Sequence, residues 1–127
     1  MSLKIKTINP VKDVYIIAPV GPISYDTYPV LEKETQRVIK KSPVKVVLDM
    51  TGVDYISSMG IRVILAALKA LNTIKGELVL VNLQPQIKKV FEIINAMPSV
   101  QIFENIAEMD RYLDAMQRQA LAGDEDE

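Results

Sequence analysis

The sequence contains no cysteine and no histidine. The chain therefore has no disulfide, no thiol nucleophile, no histidine general base and none of the Cys and His ligands of the usual zinc sites. Its 15 basic residues face 16 acidic ones, so a broad nucleic-acid-binding face is not expected. It has neither a secretory signal pattern nor an apolar run near the roughly 20 residues of a membrane span. These absences favour a non-enzymatic, cytoplasmic protein without membrane insertion.

What the sequence does contain is typical of one compact domain. Its 127 residues are 49% hydrophobic and 24% charged, which is enough to bury a sizeable core. We expect a single domain over residues 3–118. Residues 119–127 end in DEDE and are too polar to pack, so they predict a solvated tail.

The hydrophobic pattern predicts alternating strands and helices. Residues 3–7 alternate apolar and polar side chains, and residues 14–20 are close enough to return as their antiparallel partner. Apolar runs at 46–48, 78–81 and 100–103 are each preceded by a stretch of helical periodicity, which implies parallel strands. The predicted order is β-β-α-β-α-β-α-β-α: an α/β fold with a mixed, mostly parallel sheet of about five strands and four helices. The continuous run at 46–48 predicts a strand covered on both faces.

Two serines lie where this central strand leads into a long apolar helix. The helix has apolar residues at helical spacing, namely Ile61, Ile64, Leu65, Leu68 and Leu71. Ser57 and Ser58 fall at or beside its N-cap, where unpaired backbone N–H groups and the positive end of the helix dipole lie. The residues alone leave three roles open: a helix cap, a phosphoacceptor exposed by the turn, or a catalytic serine without a G-x-S-x-G motif or a histidine.

Other candidate sites have simpler interpretations. Asp49 and Asp54 flank the end of the strand, where they could hold Mg²⁺ or cap turns. The glycines form neither a G-x-G-x-x-G motif nor a P-loop, so nothing predicts a nucleotide. We therefore expect no metal and no cofactor. Met59 lies just inside the helix start, where part of it is available as an apolar contact for a partner.

Three stretches together resemble the STAS domain of bacterial anti-sigma factor antagonists. The first is DMTGVDYISSMGIRVILAALKAL, which is similar to the family's strand, Asp-containing turn and S-S/T-x-G segment before a helix. The second, VGPIS, resembles the family's G-x-[LI]-[DS] after the second strand. The third is GELVLVNLQPQIKKVFEIINAMPSVQIFENIAEM, which is similar to the family's C-terminal pattern. The resemblance covers roughly residues 3–118.

This resemblance implies partner switching. The unphosphorylated antagonist would bind an anti-sigma factor serine kinase of the GHKL type, phosphorylation at the helix start would release it, and a PP2C-type phosphatase would restore binding. The family's phosphoacceptor falls on Ser58, with Ser57 as the alternative. The implied partner-binding residues are Ser24, Asp54, Ser57, Ser58, Met59, Gly60 and Arg62.

Two family acids are replaced in this sequence. In the family pattern, the residue before the phosphoacceptor is usually Asp, and this sequence has Ser57 there. The residue that ends the family's early G-x-[LI]-[DS] motif is often Asp, and this sequence has Ser24 there. These departures predict slower phosphorylation of Ser58, or phosphorylation of Ser57 instead. We expect a monomer or weak dimer. The alternative function is a constitutive scaffold or a transport-associated STAS subunit that is never phosphorylated.

Overall fold

The computed structural model describes residues 2–96, 111, 113–115, 117 and 118. Within residues 2–96 the elements are β1 (Lys4–Val11), β2 (Val14–Val20), α1 (Tyr28–Ile39), β3 (Lys45–Asp49), α2 (Ser58–Thr73), β4 (Glu77–Val81) and α3 (Pro85–Ala96). The six described residues between 111 and 118 are also helical, in the region of the fourth predicted helix. The strand predicted at 100–103 and the tail at 119–127 lie outside the described residues.

The described strands form one mixed sheet in the order β1-β2-β3-β4. β1 pairs antiparallel with β2, whereas β3 lies parallel to both β2 and β4. The predicted α/β class, with one antiparallel edge strand, is therefore confirmed. The described sheet has four strands where about five were predicted. β1 also runs four residues beyond its predicted end at residue 7, because the chain does not reverse until Lys12 and Asp13.

The core lies on one face of the sheet, between the strands and the helices. Ile17, Val46 and Leu48 project from the central strands and are fully or almost fully buried. Against them pack Leu31 and Val38 of α1 and a row of α2 residues, which is Ile61, Val63, Ile64 and Leu71. The apolar positions predicted for α2 are only partly buried, since Leu65 and Leu68 are exposed and Ala67 is buried instead.

The opposite face of the sheet is not covered by any described element. The register places Ile16, Val47 and Val79 side by side on this face, and all three are only half-buried. The prediction that the central strand is covered on both faces is therefore wrong for the described part of the chain. The reason is topological, because α1, α2 and α3 all contribute to the core on the other face.

Candidate functional site

Helix α2 begins at Ser58, and Ser57 is its N-cap. The Ser57 backbone is extended, and its hydroxyl accepts a hydrogen bond from the Gly60 N–H at 3.3 Å. The Ser57 carbonyl accepts the first backbone bond of the helix, from Ile61 N–H at 3.0 Å. A polar side chain that can satisfy these free N–H groups is what a helix start requires. Both serines thus stand at the helix start that the sequence predicted.

Both hydroxyl-bearing residues are buried, with exposed fractions of 3% for Ser57 and 2% for Ser58. The expectation that the turn would expose them is therefore wrong. The cause is the path of residues 50–57, called here the connecting segment, which leaves the central strand and continues along the carboxyl edge of the sheet. Other parts of the chain bond to it along both of its sides.

Along its inner side, the connecting segment is paired with the backbone that follows β2. Gly21 N–H donates to Gly52 O at 2.9 Å, and Ile23 N–H donates to Tyr55 O at 2.9 Å. Ser57 N–H in turn donates to Ile23 O at 2.8 Å. These bonds extend the parallel pairing of β2 and β3 past the ends of both strands. The loop that carries Ser24 is thereby held next to the start of α2.

Along its outer side, three glutamine side chains take the place of a neighbouring strand. They are called here the glutamine edge, and they bond to backbone groups of the connecting segment. The bonds run from Gln84 Nε2 to Thr51 O (2.9 Å), from Gln86 Nε2 to Asp54 O (2.9 Å), from Ile56 N to Gln117 Oε1 (3.1 Å) and from Gln117 Nε2 to Ile56 O (2.9 Å). The polar backbone of the segment is thereby satisfied at these positions although much of the segment is buried.

Gln117 is the member of the glutamine edge nearest to the serine pair. Its exposed fraction is 2%, and its amide both donates to and accepts from the backbone of Ile56. It also donates to Leu113 O at 3.2 Å, one helical turn earlier, and Leu113 is itself buried in the core. The C-terminal helical residues are thus tied to the segment that leads into α2. Sequence reasoning missed this residue, and the one available signal was its spacing of four from Leu113.

Gly60 allows the first turn of α2 to approach the connecting segment closely. A Cβ built on Gly60 would lie 2.6 Å from Ile23 Cγ2 and 2.8 Å from Ile56 Cγ1, which is closer than carbon atoms pack. Both isoleucines are fully buried, so they have little room to move away. The role of this glycine is therefore steric.

We expect Gly60→Ala to lower the free energy of unfolding. Overpacking a filled core costs about 1–3 kcal/mol, whereas the gain in helix propensity over glycine is at most about 1 kcal/mol. Urea denaturation followed by circular dichroism measures the difference. The matched control is Gly60→Ser, which adds a similar Cβ and should be destabilised as well. A Gly60→Ala chain as stable as the parent would contradict the steric role.

Several predicted partner-binding residues surround the helix start at the surface. Asp54 and Arg62 are exposed, Met59 and Ser24 are half-buried, and Tyr25 next to Ser24 is 62% exposed. Sequence reasoning missed Tyr25, although exposed tyrosines are enriched in binding interfaces. The described surface around the site therefore mixes an aromatic ring, a thioether and charges of both signs.

Asp49 caps the turn that opens the connecting segment. Its Oδ1 accepts from the Thr51 hydroxyl at 2.6 Å, from Thr51 N–H at 3.1 Å and from Asn82 Nδ2 at 3.2 Å. These bonds, led by that of the Thr51 hydroxyl, lower the pKa of the Asp49 carboxyl. Among the described residues, no group of three or more acidic side chains is arranged to hold a metal ion. The turn-capping interpretation of Asp49 therefore fits its contacts.

The central strand, the connecting segment and the serine-capped start of α2 agree with the resemblance to the STAS domain. The STAS family model matches residues 4–109, which is most of the chain. The chain therefore belongs to the STAS domain family. None of the described helices is long and apolar enough to cross a membrane.

Individual similar proteins are consistent with membership of this family. Bordetella bronchiseptica BtrV, named as an anti-sigma factor antagonist, is 48% identical over 63 residues, or 50% of this chain and 54% of BtrV. The chain thus matches about half the length of that relative. A Thermotoga maritima structure named as an anti-sigma factor antagonist has a TM-score of 0.67 at 22% identity, covering 87% of this chain and 94% of the other. Phosphorylated SpoIIAA of Bacillus has a TM-score of 0.62 at 15% identity, covering 72% and 83%. At these identities the two structures establish the fold.

Proposed function

We propose that this chain is an anti-sigma factor antagonist that is switched by phosphorylation of Ser58. The observation that carries the proposal is the position of Ser57 and Ser58 at the start of α2, directly after the central strand and its connecting segment. A helix N-terminus stabilises added negative charge, so a phosphoryl group on Ser58 would lie in a favourable field. The names of BtrV and of the solved STAS relatives support the same function.

In this proposal the unphosphorylated chain binds an anti-sigma factor that is also a GHKL-type serine kinase. The exposed residues around the helix start, Tyr25, Asp54 and Arg62, supply contacts together with the half-buried Met59. A PP2C-type phosphatase then restores binding by removing the phosphate. The protein itself acts as a binding partner and not as an enzyme.

The burial of Ser58 adds a requirement to this switch. A phosphoryl group carries about −1.5 to −2 charges at neutral pH and has three acceptor oxygens, which need solvent or donors around them. The connecting segment must therefore separate locally from its neighbours before the kinase reaches the hydroxyl. Release of the partner follows from the added charge and from the altered surface next to Met59 and Arg62.

Intact mass spectrometry tests the proposal directly. The purified chain is incubated with ATP, Mg²⁺ and the GHKL-type kinase encoded nearest to its gene, and we expect the addition of one phosphate. Ser58→Ala should abolish this addition, whereas Ser57→Ala, which removes the helix cap at a cost of about 1 kcal/mol, should retain it. If only Ser57→Ala fails to gain the phosphate, the phosphorylated residue is Ser57. Labelling that persists in both variants would contradict the proposal.

A second candidate is a STAS domain that binds its partner constitutively. The burial of both serines favours this candidate, because a kinase cannot readily reach hydroxyls that are shielded from solvent. In that case the same incubation gives a stable complex with the kinase and no change in mass. The transport-associated form of this candidate has no separate support among the described contacts.

A further inference from the structure

Three turns lie side by side at the end of the sheet where β3 and β4 begin. They connect β1 to β2, α1 to β3 and α2 to β4. Backbone bonds join them, because Val44 N–H donates to Asp13 O at 2.8 Å and Glu77 N–H donates to Val44 O at 2.9 Å. Together they form the lysine end, which we define as residues 11–13, 40–45 and 74–77. This end is opposite to the connecting segment and the start of α2, which lie at the carboxyl edge.

The lysine end is positively charged. Its exposed lysines are Lys12, Lys40, Lys41 and Lys75. Lys45 is paired with Glu77 at 3.9 Å, which leaves Asp13 as the one further acidic residue in the three turns. Because the whole chain has a net charge of −1, the rest of it is net acidic. Positive charge is thus concentrated at one end of a chain that is nearly neutral overall.

Exposed aliphatic side chains lie next to these lysines. Val11 and Val44 are each 61% exposed, more than any other large aliphatic residue of the described chain, and Ile74 is 40% exposed. Val11 precedes Lys12, and Ile74 precedes Lys75. Single exposed aliphatic residues are ordinary on protein surfaces. Here three of them lie in adjoining turns among four lysines, so the lysine end offers both cationic and apolar contacts.

Contacts within the chain explain only part of this composition. Lys40 and Lys75 follow the last turns of α1 and α2, where the negative end of the helix dipole favours a cation. The Lys41 Nζ lies 5.8 Å from the centroid of the Tyr15 ring, which attracts it. These interactions account neither for the lysine in the turn between β1 and β2 nor for the two most exposed valines. A partner that is both anionic and apolar would account for all of them.

We propose that the lysine end docks on the surface of a bilayer that contains anionic lipids. Near such a surface each lysine is attracted to the lipid headgroups, and aliphatic side chains enter the interfacial layer. The three turns contain no arginine, which is the residue that proteins favour for bidentate recognition of a single carboxylate or phosphate. Lysine acts as a point charge, which suits the diffuse charge of a lipid surface.

The width of the lysine end also favours lipid over a globular protein. Three strand spacings of about 4.8 Å separate the outermost described strands, so this end of the sheet is roughly 14 Å wide. A standard protein interface covers roughly 800 Å² per partner, which is about 28 Å across. A protein partner of that kind would need further surface beyond these turns, whereas a lipid bilayer requires no matching shape.

Docking at this end fixes the orientation of the chain. The net acidic remainder is repelled by the same lipid surface that attracts the lysines, so the opposite end points away from the bilayer. Ser58 and Met59 lie at that opposite end, where a protein partner could still reach them. Lipid binding is therefore separate from the proposed switch, and the Ser58→Ala chain should bind lipid like the parent.

Sedimentation of the full chain with lipid vesicles tests this proposal. We expect binding to vesicles of equal parts phosphatidylglycerol and phosphatidylcholine at low ionic strength, and much weaker binding to phosphatidylcholine alone or at high ionic strength. Lys12→Gln/Lys75→Gln should lower the partition coefficient by about tenfold or more, because each lysine near an anionic surface contributes to the attraction. A parent chain that binds neither kind of vesicle, or both equally, overturns the proposal.

The matched charge control is Lys88→Gln/Lys89→Gln. It removes the same charge from two exposed lysines near the start of α3, where Gln86 bonds to the connecting segment at the other end of the molecule. This variant should bind vesicles nearly as well as the parent. Equal losses in the two double variants would show that only the net charge matters, which overturns the assignment to the lysine end.

A valine replacement separates lipid from other polyanions. Val44→Ser should lower the partition coefficient by about threefold or more, since it withdraws an aliphatic side chain from the lipid interface. The control is Val30→Ser, which changes a 45% exposed valine at the start of α1 and should leave lipid binding unchanged. Undiminished vesicle binding by Val44→Ser, or equally tight binding of polyglutamate by the parent, would indicate a general polyanion site and overturn the lipid proposal.

Discussion

Replacing Gln117 by alanine is expected to raise the rate at which a thiol at position 58 reacts with a reagent in solution by about 10- to 100-fold. The change removes the two hydrogen bonds to Ile56, each contributing about 0.5–1.5 kcal/mol, and so favours local opening of the connecting segment. The chain has no native cysteine, so Ser58→Cys gives a single thiol whose rate of reaction with Ellman's reagent reports this opening. The comparison is between Ser58→Cys and Ser58→Cys/Gln117→Ala.

Two controls separate local opening from general destabilisation. Arg118→Ala changes the next residue, whose side chain is 80% exposed, and should leave the rate at position 58 unchanged. A thiol placed by Thr73→Cys at the exposed end of α2 should react at the same rate with and without Gln117. If the thiol at position 58 reacts at the same rate in Ser58→Cys and in Ser58→Cys/Gln117→Ala, the glutamine edge does not hold the connecting segment closed. In the proposed switch, Gln117→Ala should also speed phosphorylation of Ser58.

Ser58→Asp is expected to weaken binding to the cognate anti-sigma factor kinase by about 30-fold or more. The new carboxylate would lie at the buried start of α2, next to the proposed contact residues Met59 and Arg62, and leaving a charge unpaired there when the partner binds costs about 2–5 kcal/mol. The helix N-terminus tolerates the charge within the chain itself, so far-UV circular dichroism should change little. Isothermal titration calorimetry with the purified kinase measures the loss of affinity.

The matched neutral variant is Ser58→Asn, which has nearly the shape of aspartate without its charge. It should retain more affinity than Ser58→Asp, because the effect of a phosphate mimic is electrostatic as well as steric. An aspartate variant with undiminished affinity, or one that no longer folds, would contradict the switch proposed for Ser58. Equal losses in the two variants would assign the effect to size alone.

The parts of the fold that the sequence predicted are those set by local patterns. The bounds of β2 were predicted to the residue, because Gly21 and Pro22 follow an apolar run and end it. The helix start at Ser57 and Ser58 was predicted because capping depends on neighbours within four residues. The antiparallel pairing of β1 with β2 was predicted because few residues separate the two strands. The turn between them lies at Lys12 and Asp13, later than the predicted end of β1 implied.

The parts that the sequence did not predict depend on distant residues. The bonds of Gln84 and Gln117 reach the connecting segment from 33 and 61 residues away, and a glutamine carries no periodic signal. The burial of Ser57 and Ser58 therefore could not be inferred from their own turn. The prediction that the strand around Val47 is covered on both faces was wrong for the described residues, because an apolar run does not say whether its second face is covered by the same chain.

The glutamine edge also bears on aggregation. A backbone edge with free N–H and C=O groups is a template on which another chain can add a strand. In this protein the outer side of Ile56 offers no such template, because the amide of Gln117 occupies both of its hydrogen-bonding groups. In the proposed switch, local opening of the connecting segment would expose that edge. The return of this one side-chain amide would then end the exposure to strand addition.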